Sequence, residues 1–302
     1  MFSVESINYP VYVLADFLEF QALSHETCAV AGLRSLLSAS EDELEIGGIE
    51  EGDDKVLNKL QEALLYCSRR KEEFCAYPFI VKEQAISFLS DLKEKQLIYL
   101  FLLLVNRMNM QSERVQGGKN ATELFERLCC LNALNYFGNR AKSEIFGTAV
   151  TGSFKDKVNI LLKKLNIKGT YKQPFGGTEH QKDGGVDIVT WIPFNDGKDS
   201  QLIALGQCKT GSNWDALLQK VNFFDNFSTE SPFVDPVYMF FVAEDFGTYK
   251  WGERSRSCGI LFDRKRVLEL VPDNIKEIDA DLIDDIQIWL DATVDYIKGQ
   301  IC

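Results

Sequence analysis

The fold is decided by residues 183–209, which read Asp-Gly-Gly-Val-Asp-Ile-Val-Thr-Trp-Ile-Pro-Phe-Asn-Asp-Gly-Lys-Asp-Ser-Gln-Leu-Ile-Ala-Leu-Gly-Gln-Cys-Lys. Two apolar runs of strand length, 186–193 and 201–209, flank the polar segment 195–199. That segment contains Asp196-Gly197, and Asp-Gly between apolar runs is a strong hairpin signal. The two runs are therefore predicted to be adjacent antiparallel strands.

Three polar side chains are predicted to meet at the open end of this hairpin. Gln207 and Lys209 share one face of their strand, whereas Cys208 points to the other, because side chains alternate along a strand. Asp187 enters the first strand from a glycine turn and falls at the same end as Lys209. Mg²⁺ prefers oxygen ligands and usually keeps several waters, and an ammonium can orient the attacking water or offset negative charge. The patch indicates metal-assisted hydrolysis of a phosphodiester.

These residues resemble the PD-(D/E)xK, or restriction-endonuclease-like, superfamily, and most of all its Mrr-like branch, in which Gln often replaces the first acidic residue of the (D/E)xK half-motif. Asp187 matches the metal-binding Asp, Gln207 the variable position and Lys209 the Lys. Upstream, Thr-Glu-Leu-Phe-Glu-Arg-Leu at 122–128 is similar to the branch's "FE" helix, and Glu126 is then the equivalent of its metal-directed Glu. Glu123 lies on the same helix face, but its place near the helix start suggests a capping role instead.

The resemblance covers roughly residues 114–275 and implies an α/β fold with an α-β-β-β-α-β core, in which helices flank a mixed sheet. It implies Mg²⁺, or Mn²⁺, held by the side chains of Glu126, Asp187 and Gln207 and by the backbone carbonyl of Cys208. DNA is the implied substrate. Mrr-like nucleases commonly act in multi-protein systems, so a gated effector of a bacterial anti-phage or restriction-type system is expected. An α/β domain of another kind is the alternative fold.

Two other functions stay open at this point. One is a catalytically silent nuclease-fold module that binds nucleic acid or protein, and the other is an RNA nuclease. Retention of Asp187, Gln207 and Lys209 argues against a silent module, since it has no chemical need for all three. DNA is preferred to RNA because the sequence contains no aromatic RNA-binding motif.

Charge is distributed unevenly along a chain whose net charge is −12. Residues 1–113 hold 10 basic and 19 acidic side chains, residues 114–182 hold 12 and 5, and residues 183–302 hold 11 and 21. The basic segment precedes the predicted site and is expected to contact phosphates, although a solvated basic face is the alternative. The residues predicted to bind nucleic acid are Lys155, Lys157, Lys163, Lys164, Lys172 and Lys182.

The chain is long enough for two domains. Residues 1–113 are predicted to form a helical domain that contacts protein partners or a second copy, residues 114–275 the nuclease-like domain, and residues 276–302 an acidic helix packed on it. Apolar spacing and capping signals predict the elements in more detail. Helices are expected at 12–23, 55–74, 82–108, 121–137, 153–166, 214–227, 264–270 and 281–298, and strands at 169–174, 237–243 and 259–263. Residues 28–37 either continue the first helix or form a second one.

The eight cysteines form no Cys-x-x-Cys pair and the chain has two histidines, so a zinc site is not expected. No apolar run is long enough to span a bilayer, and the first residues lack the features of a signal peptide. The composition, 45% hydrophobic and 26% charged, is typical of a globular protein. A cytoplasmic location with reduced thiols and no membrane contact is therefore expected.

Overall fold

Residues 9–33, 49–146, 153–172, 185–218, 227–229, 234–248 and 250–301 are described by a computed structural model of the chain. They form a mixed α/β structure that divides into two units. The first unit comprises residues 1–121, 243–247 and 273–302, and the second comprises residues 122–242 and 248–272. No helix among the described residues is both long and apolar enough to cross a membrane.

The elements are numbered in chain order. The helices are α1 (Val11–His25), α2 (Ile49–Glu73), α3 (Glu94–Arg107), α4 (Ala121–Phe137), α5 (Phe154–Lys164), α6 (Trp251–Cys258), α7 (Arg264–Leu270), α8 (Ile275–Ile278) and α9 (Ala280–Ile301). The strands are β1 (Thr27–Ala29), β2 (Phe79–Lys82), β3 (Ala85–Phe88), β4 (Val115–Gln116), β5 (Lys119–Asn120), β6 (Lys142–Ile145), β7 (Gly169–Tyr171), β8 (Ile188–Ile192), β9 (Leu202–Lys209), β10 (Phe227–Thr229), β11 (Val237–Val242) and β12 (Ile260–Phe262).

The second unit is built on a five-stranded mixed sheet in the order β12-β11-β9-β8-β6. Strands β6, β8 and β9 are antiparallel, whereas β9, β11 and β12 run parallel. The predicted hairpin is confirmed, since β8 pairs with β9 in a register that places Ile188 opposite Gly206. The prediction of a mixed sheet flanked by helices is confirmed as well.

The two faces of this sheet are covered by different helices. On one face, Cys130 of α4 donates to Ser143 of β6, whose hydroxyl lies 2.8 Å from that of Thr190 in β8. On the other face, α5 packs its apolar side against the sheet as predicted from its spacing. That core contains Val158, Leu161, Leu162 and Leu165 beside Val189, Trp191, Ile203 and Leu205. Each side chain of β9 is therefore assigned to the α4 side or to the α5 side.

The first unit contains a sheet that was not predicted. Strands β1, β3 and β2 form an antiparallel three-stranded sheet in that order. One helix or a pair of helices was expected over 82–108, but the helix of this segment, α3, begins only at Glu94. The two short runs 79–82 and 85–88 contain β-branched and aromatic residues that favour strands, and pairing between these runs competes with a helix. Residues 27–29 pair with β3, and the chain is helical again from residue 30.

The units divide the chain at other positions than the predicted domains do. Gly117 and Gly118, close to the predicted domain boundary, form the turn of the β4-β5 hairpin, with φ of 55° and 75°. Two successive positive φ values suit a tight hairpin turn. The last helix was expected on the nuclease-like domain, but it belongs to the first unit. Trp289 of α9 packs edge-on against Phe101 of α3 at 5.4 Å, and its indole N–H donates to the Arg114 carbonyl.

The helix predicted at 214–227 is tested only at its ends, since residues 219–226 lie outside the described residues. Its start is a 3-10 turn, Trp214–Leu217, and its last residue, Phe227, begins β10, which pairs with β7. Trp214 is almost fully buried, and the guanidinium of Arg254 lies 4.7 Å from the centroid of its ring. The buried indole and its guanidinium neighbour hold the 3-10 turn at the start of this segment.

Candidate functional site

The start of β8 is held on both sides by main-chain hydrogen bonds. The Asp187 N–H donates to the Gly206 carbonyl at 2.9 Å, and the Asp187 carbonyl accepts from the Phe146 N–H at 2.7 Å. The Asp187 side chain also reaches β9, since its Oδ2 accepts from the Cys208 N–H at 2.7 Å. The carboxylate therefore lies directly beside the predicted Gln-Cys-Lys segment.

Lys209 lies close to the same carboxylate. Its Nζ is 3.8 Å from Asp187 Oδ2, with 24% of the Lys209 side chain and 13% of the Asp187 side chain exposed. This partial exposure leaves the pair open to a ligand from solvent. A carboxylate that accepts a backbone N–H and faces an ammonium is stabilised in its charged form.

Gln207 is buried, with 4% of its surface exposed. Within β9 it lies on the same face as Leu205 and Lys209, which is the face covered by α5. The buried Gln207 amide contains an oxygen that could serve as a metal ligand, at the strand end that also carries Lys209. The structure thus places the predicted Asp187, Gln207 and Lys209 at one end of the hairpin.

Glu126 approaches from the other side of the sheet. It is buried on α4, with 5% exposed, whereas Glu123 one turn earlier is exposed to solvent. The carboxylates of Glu126 and Asp187 both contribute to raising the pKa of Cys208, whose side chain points away from Gln207. Glu126 and Gln207 are therefore on opposite sides of β9, and Asp187 at the strand end is near both sides.

Two buried thiols, those of Cys129 and Cys208, lie on the same side of the sheet as Glu126. Burial, more than any other cause, raises the pKa of Cys129 and that of Cys208, and the Cys208 value is raised further by a hydrogen bond between the two thiols. Both side chains therefore remain protonated at neutral pH. A neutral thiol is a poor metal ligand, so Cys208 can take part in hard-metal binding through its backbone carbonyl alone.

Oxygen ligands of the kind that Mg²⁺ prefers are present, but they are few. In the described ranges, no group of three or more His, Cys, Asp or Glu side chains is arranged to hold a metal. The predicted set differs from such a group because it combines two carboxylates with the Gln207 amide and a main-chain carbonyl. These are hard donors and suit Mg²⁺. A cation bound at Asp187 has to share its carboxylate with Lys209.

The predicted nucleic-acid lysines are mostly on the surface of α5 and of the segment after it. Lys155, Lys163, Lys164 and Lys172 are exposed and Lys157 is half-buried, while Lys182 lies outside the described residues. Lys164 forms an ion pair with Glu144 of β6. An ion pair reduces the positive charge that Lys164 presents to a phosphate, so it is a weaker candidate than Lys155 or Lys163.

One contact near the site was not predicted. Arg254 of α6 forms a two-pronged ion pair with Asp215, at 3.1 and 3.0 Å, while its guanidinium covers the Trp214 ring. This contact fixes the turn that follows Lys209 in the chain. The partners are 39 residues apart, and neither shows a periodic signal that links it to the other.

Comparison of the chain with protein-family models, with curated proteins and with solved structures found no match.

Proposed function

We propose that this chain is a Mg²⁺-dependent endonuclease that hydrolyses phosphodiester bonds in DNA. The observation that carries the proposal is the convergence at Asp187, where one carboxylate oxygen lies 2.7 Å from the Cys208 nitrogen and 3.8 Å from Lys209 Nζ. The order α4-β6-β8-β9 supports it, because it resembles the α-β-β-β part of the PD-(D/E)xK core, with α5 and β7 inserted between β6 and β8.

Each residue has a distinct role in the proposed reaction. Asp187, Gln207 and the carbonyl of Cys208 would provide ligands. The Glu126 carboxylate, which lies on the other side of β9, would have to reach the ion at the strand end beside Asp187. A bound Mg²⁺ would act as a Lewis acid on the phosphate and lower the pKa of an attacking water. Lys209 orients that water or stabilises the negative charge that develops on the phosphate oxygens. The Cys208 N–H holds the Asp187 carboxylate in place through its hydrogen bond.

Gln207 has a consequence for metal affinity. An amide oxygen is a neutral ligand, so the proposed site carries one negative charge fewer than a site with Glu. The free protein is expected to bind Mg²⁺ weakly and to depend on substrate phosphate as a further ligand. We propose that a partner protein in a cytoplasmic anti-phage or restriction-type assembly controls the access of DNA to this site.

The direct test is cleavage of plasmid DNA in the presence of Mg²⁺. We expect EDTA to abolish cleavage, and Asp187→Ala and Lys209→Ala each to lower the rate by more than about tenfold, since loss of such a group raises the barrier by several kcal/mol. Lys198→Ala is the matched control, because Lys198 lies in the same hairpin at its opposite end and its side chain is 79% exposed. Thermal melts of all variants should remain close to that of the wild type.

Undiminished cleavage by Lys209→Ala would refute the assignment.

A second candidate function is a silent nucleic-acid-binding module, and the ion pair between Lys209 and Asp187 favours it because the ammonium already balances the carboxylate. That function predicts DNA binding in a gel-shift assay without cleavage at any Mg²⁺ or Mn²⁺ concentration. Testing RNA beside DNA in both assays distinguishes the substrate.

A further inference from the structure

A cleft of about 680 Å³ lies in the first unit, and none of its lining residues belongs to the proposed nuclease site. Its apolar lining comes from three helices, with Leu23 from α1, Leu97 and Leu100 from α3, and Leu290 from α9. These leucines form an apolar floor in the cleft, against which an apolar surface of another molecule can be removed from water.

The rim of this cleft is acidic. Glu26, Asp291 and Asp295 line it, and Lys298 is the basic residue among its lining residues. All four are exposed. The same charge preference extends along α9, which carries five aspartates and one lysine. An acidic rim around an apolar floor attracts a ligand that has an apolar side and positive charges.

We propose that this cleft binds a basic amphipathic helix of a partner protein. Such a helix places its apolar stripe on the leucines and its lysine or arginine side chains next to the acidic rim, as in other complexes of a helix with a groove. The proposal concerns protein binding by the first unit and does not depend on the nuclease assignment.

A second copy of this chain is a poorer occupant. Its own basic amphipathic helix is α5, but the apolar side of α5 already forms the core of the second unit with Val158, Leu161 and Leu162. Binding of α5 by another copy would require that core to open. A separate partner protein does not have this cost.

The probe is a synthetic fluorescein-labelled peptide of about five helical turns, with leucine at i, i+3, i+4 and i+7 and lysine elsewhere. A scrambled peptide of the same composition lacks the apolar stripe and is the peptide control. Fluorescence anisotropy with the full-length protein should give a Kd on the order of 10 µM for the amphipathic peptide. The scrambled peptide should bind much more weakly.

Two pairs of variants test the location. Replacing both rim aspartates in D291N/D295N should weaken peptide binding roughly fivefold or more at low salt. D281N/D284N removes the same charge from exposed positions of the same helix that do not line the cleft, and it should have a much smaller effect. Val294→Lys adds a positive charge to the cleft lining and should abolish binding, whereas Ile288→Lys on exposed α9 surface should not.

The proposal is overturned if the scrambled peptide binds as tightly as the amphipathic one, or if D291N/D295N weakens binding no more than D281N/D284N. Sedimentation velocity tests the other occupant. If the wild-type protein dimerises and D291N/D295N is monomeric, the cleft binds a second copy and the separate partner is excluded. The melting curve of each variant must match that of the wild type. A D291K/D295K variant reverses the charge of the rim, so it should bind a peptide in which glutamate replaces lysine.

Discussion

The lack of a side chain at Gly206 supports the candidate site. Its carbonyl accepts from the Asp187 N–H, and a Cβ built at this position would lie 2.4 Å from Ile188 Cγ1 and 2.9 Å from Cδ1. Its neighbours in the sheet, Ile188 and Met239, are buried. There is thus little space into which Ile188 can move, and β8 and β9 must separate to admit a methyl group.

We therefore expect Gly206→Ala to lower the free energy of unfolding by about 1–3 kcal/mol, and to reduce any activity that needs Asp187 beside Cys208. Chemical denaturation measures the first effect and the plasmid assay the second. Gly252→Ala is the control, because a Cβ at this helical position of α6 meets no atom within 4 Å. It should stabilise the protein slightly. A Gly206→Ala protein as stable as the wild type would contradict the argument.

Gln207 provides a test of the proposed metal ligands. Gln207→Glu turns a neutral ligand into a charged one, so we expect cleavage to persist and the Mg²⁺ concentration for half-maximal rate to fall. Gln207→Ala removes the ligand and should lose most activity. A titration of cleavage rate against Mg²⁺ measures both. If the two variants match the wild type, Gln207 is a buried strand residue without a role in metal binding.

Among the helices, α5 carries the lysines predicted to contact DNA, and Lys155 and Lys163 are exposed. Replacing Lys155, Lys157 and Lys163 by glutamine should weaken DNA binding and its dependence on salt. The slope of the logarithm of the binding constant against the logarithm of salt concentration should become less negative by roughly 0.9 for each duplex phosphate that is no longer neutralised. Lys164 is left unchanged because of its ion pair with Glu144. Binding measured at several salt concentrations gives the slope.

The control for this experiment removes the same charge from another helix. Lys55, Lys59 and Lys71 lie on α2 in the first unit, with Lys55 and Lys71 exposed and Lys59 half-buried. Their replacement by glutamine changes the net charge equally, so it should shift affinity much less if the contacts to DNA are local. Equal effects of the two triple variants would show that net charge, and not α5, governs binding.

The path of the chain decides whether the nuclease-like region can be isolated. Residues 243–247 and 273–302 belong to the first unit together with residues 1–121. Glu244 and Asp245 bind buried arginines of that unit, at 2.9 Å from Arg107 and 2.8 Å from Arg70. A chain that starts near residue 116 lacks both arginines and also lacks α3, against which α9 packs.

We expect such a truncated chain to aggregate or to melt without cooperativity, because it leaves two carboxylates without their buried partners and exposes the apolar side of α9. Circular dichroism and size-exclusion chromatography compare it with the full-length protein. A monomeric truncated chain with a cooperative melt and DNA cleavage would contradict this expectation. It would show that the residues after 115 fold without residues 1–115.

Local sequence features determined the β8-β9 hairpin, the bounds of α4 and the meeting of Asp187, Gln207 and Lys209. Each depends on neighbours in the chain, since strand alternation sets the faces and Asp196-Gly197 sets the pairing. Apolar spacing likewise predicted the buried side of α5. These features need no knowledge of distant residues.

Only the tertiary structure decided which side of the sheet carries Glu126, which unit contains α9, and that residues 214–217 form a 3-10 turn. The pairing of Lys164 with Glu144 and of Arg254 with Asp215 was decided in the same way. In each case the partners are far apart in sequence. A charged or amphipathic pattern predicts that a residue or helix has a partner, but it does not identify that partner. The choice follows from packing of the complete chain, where burial of large apolar side chains outweighs weak local preferences.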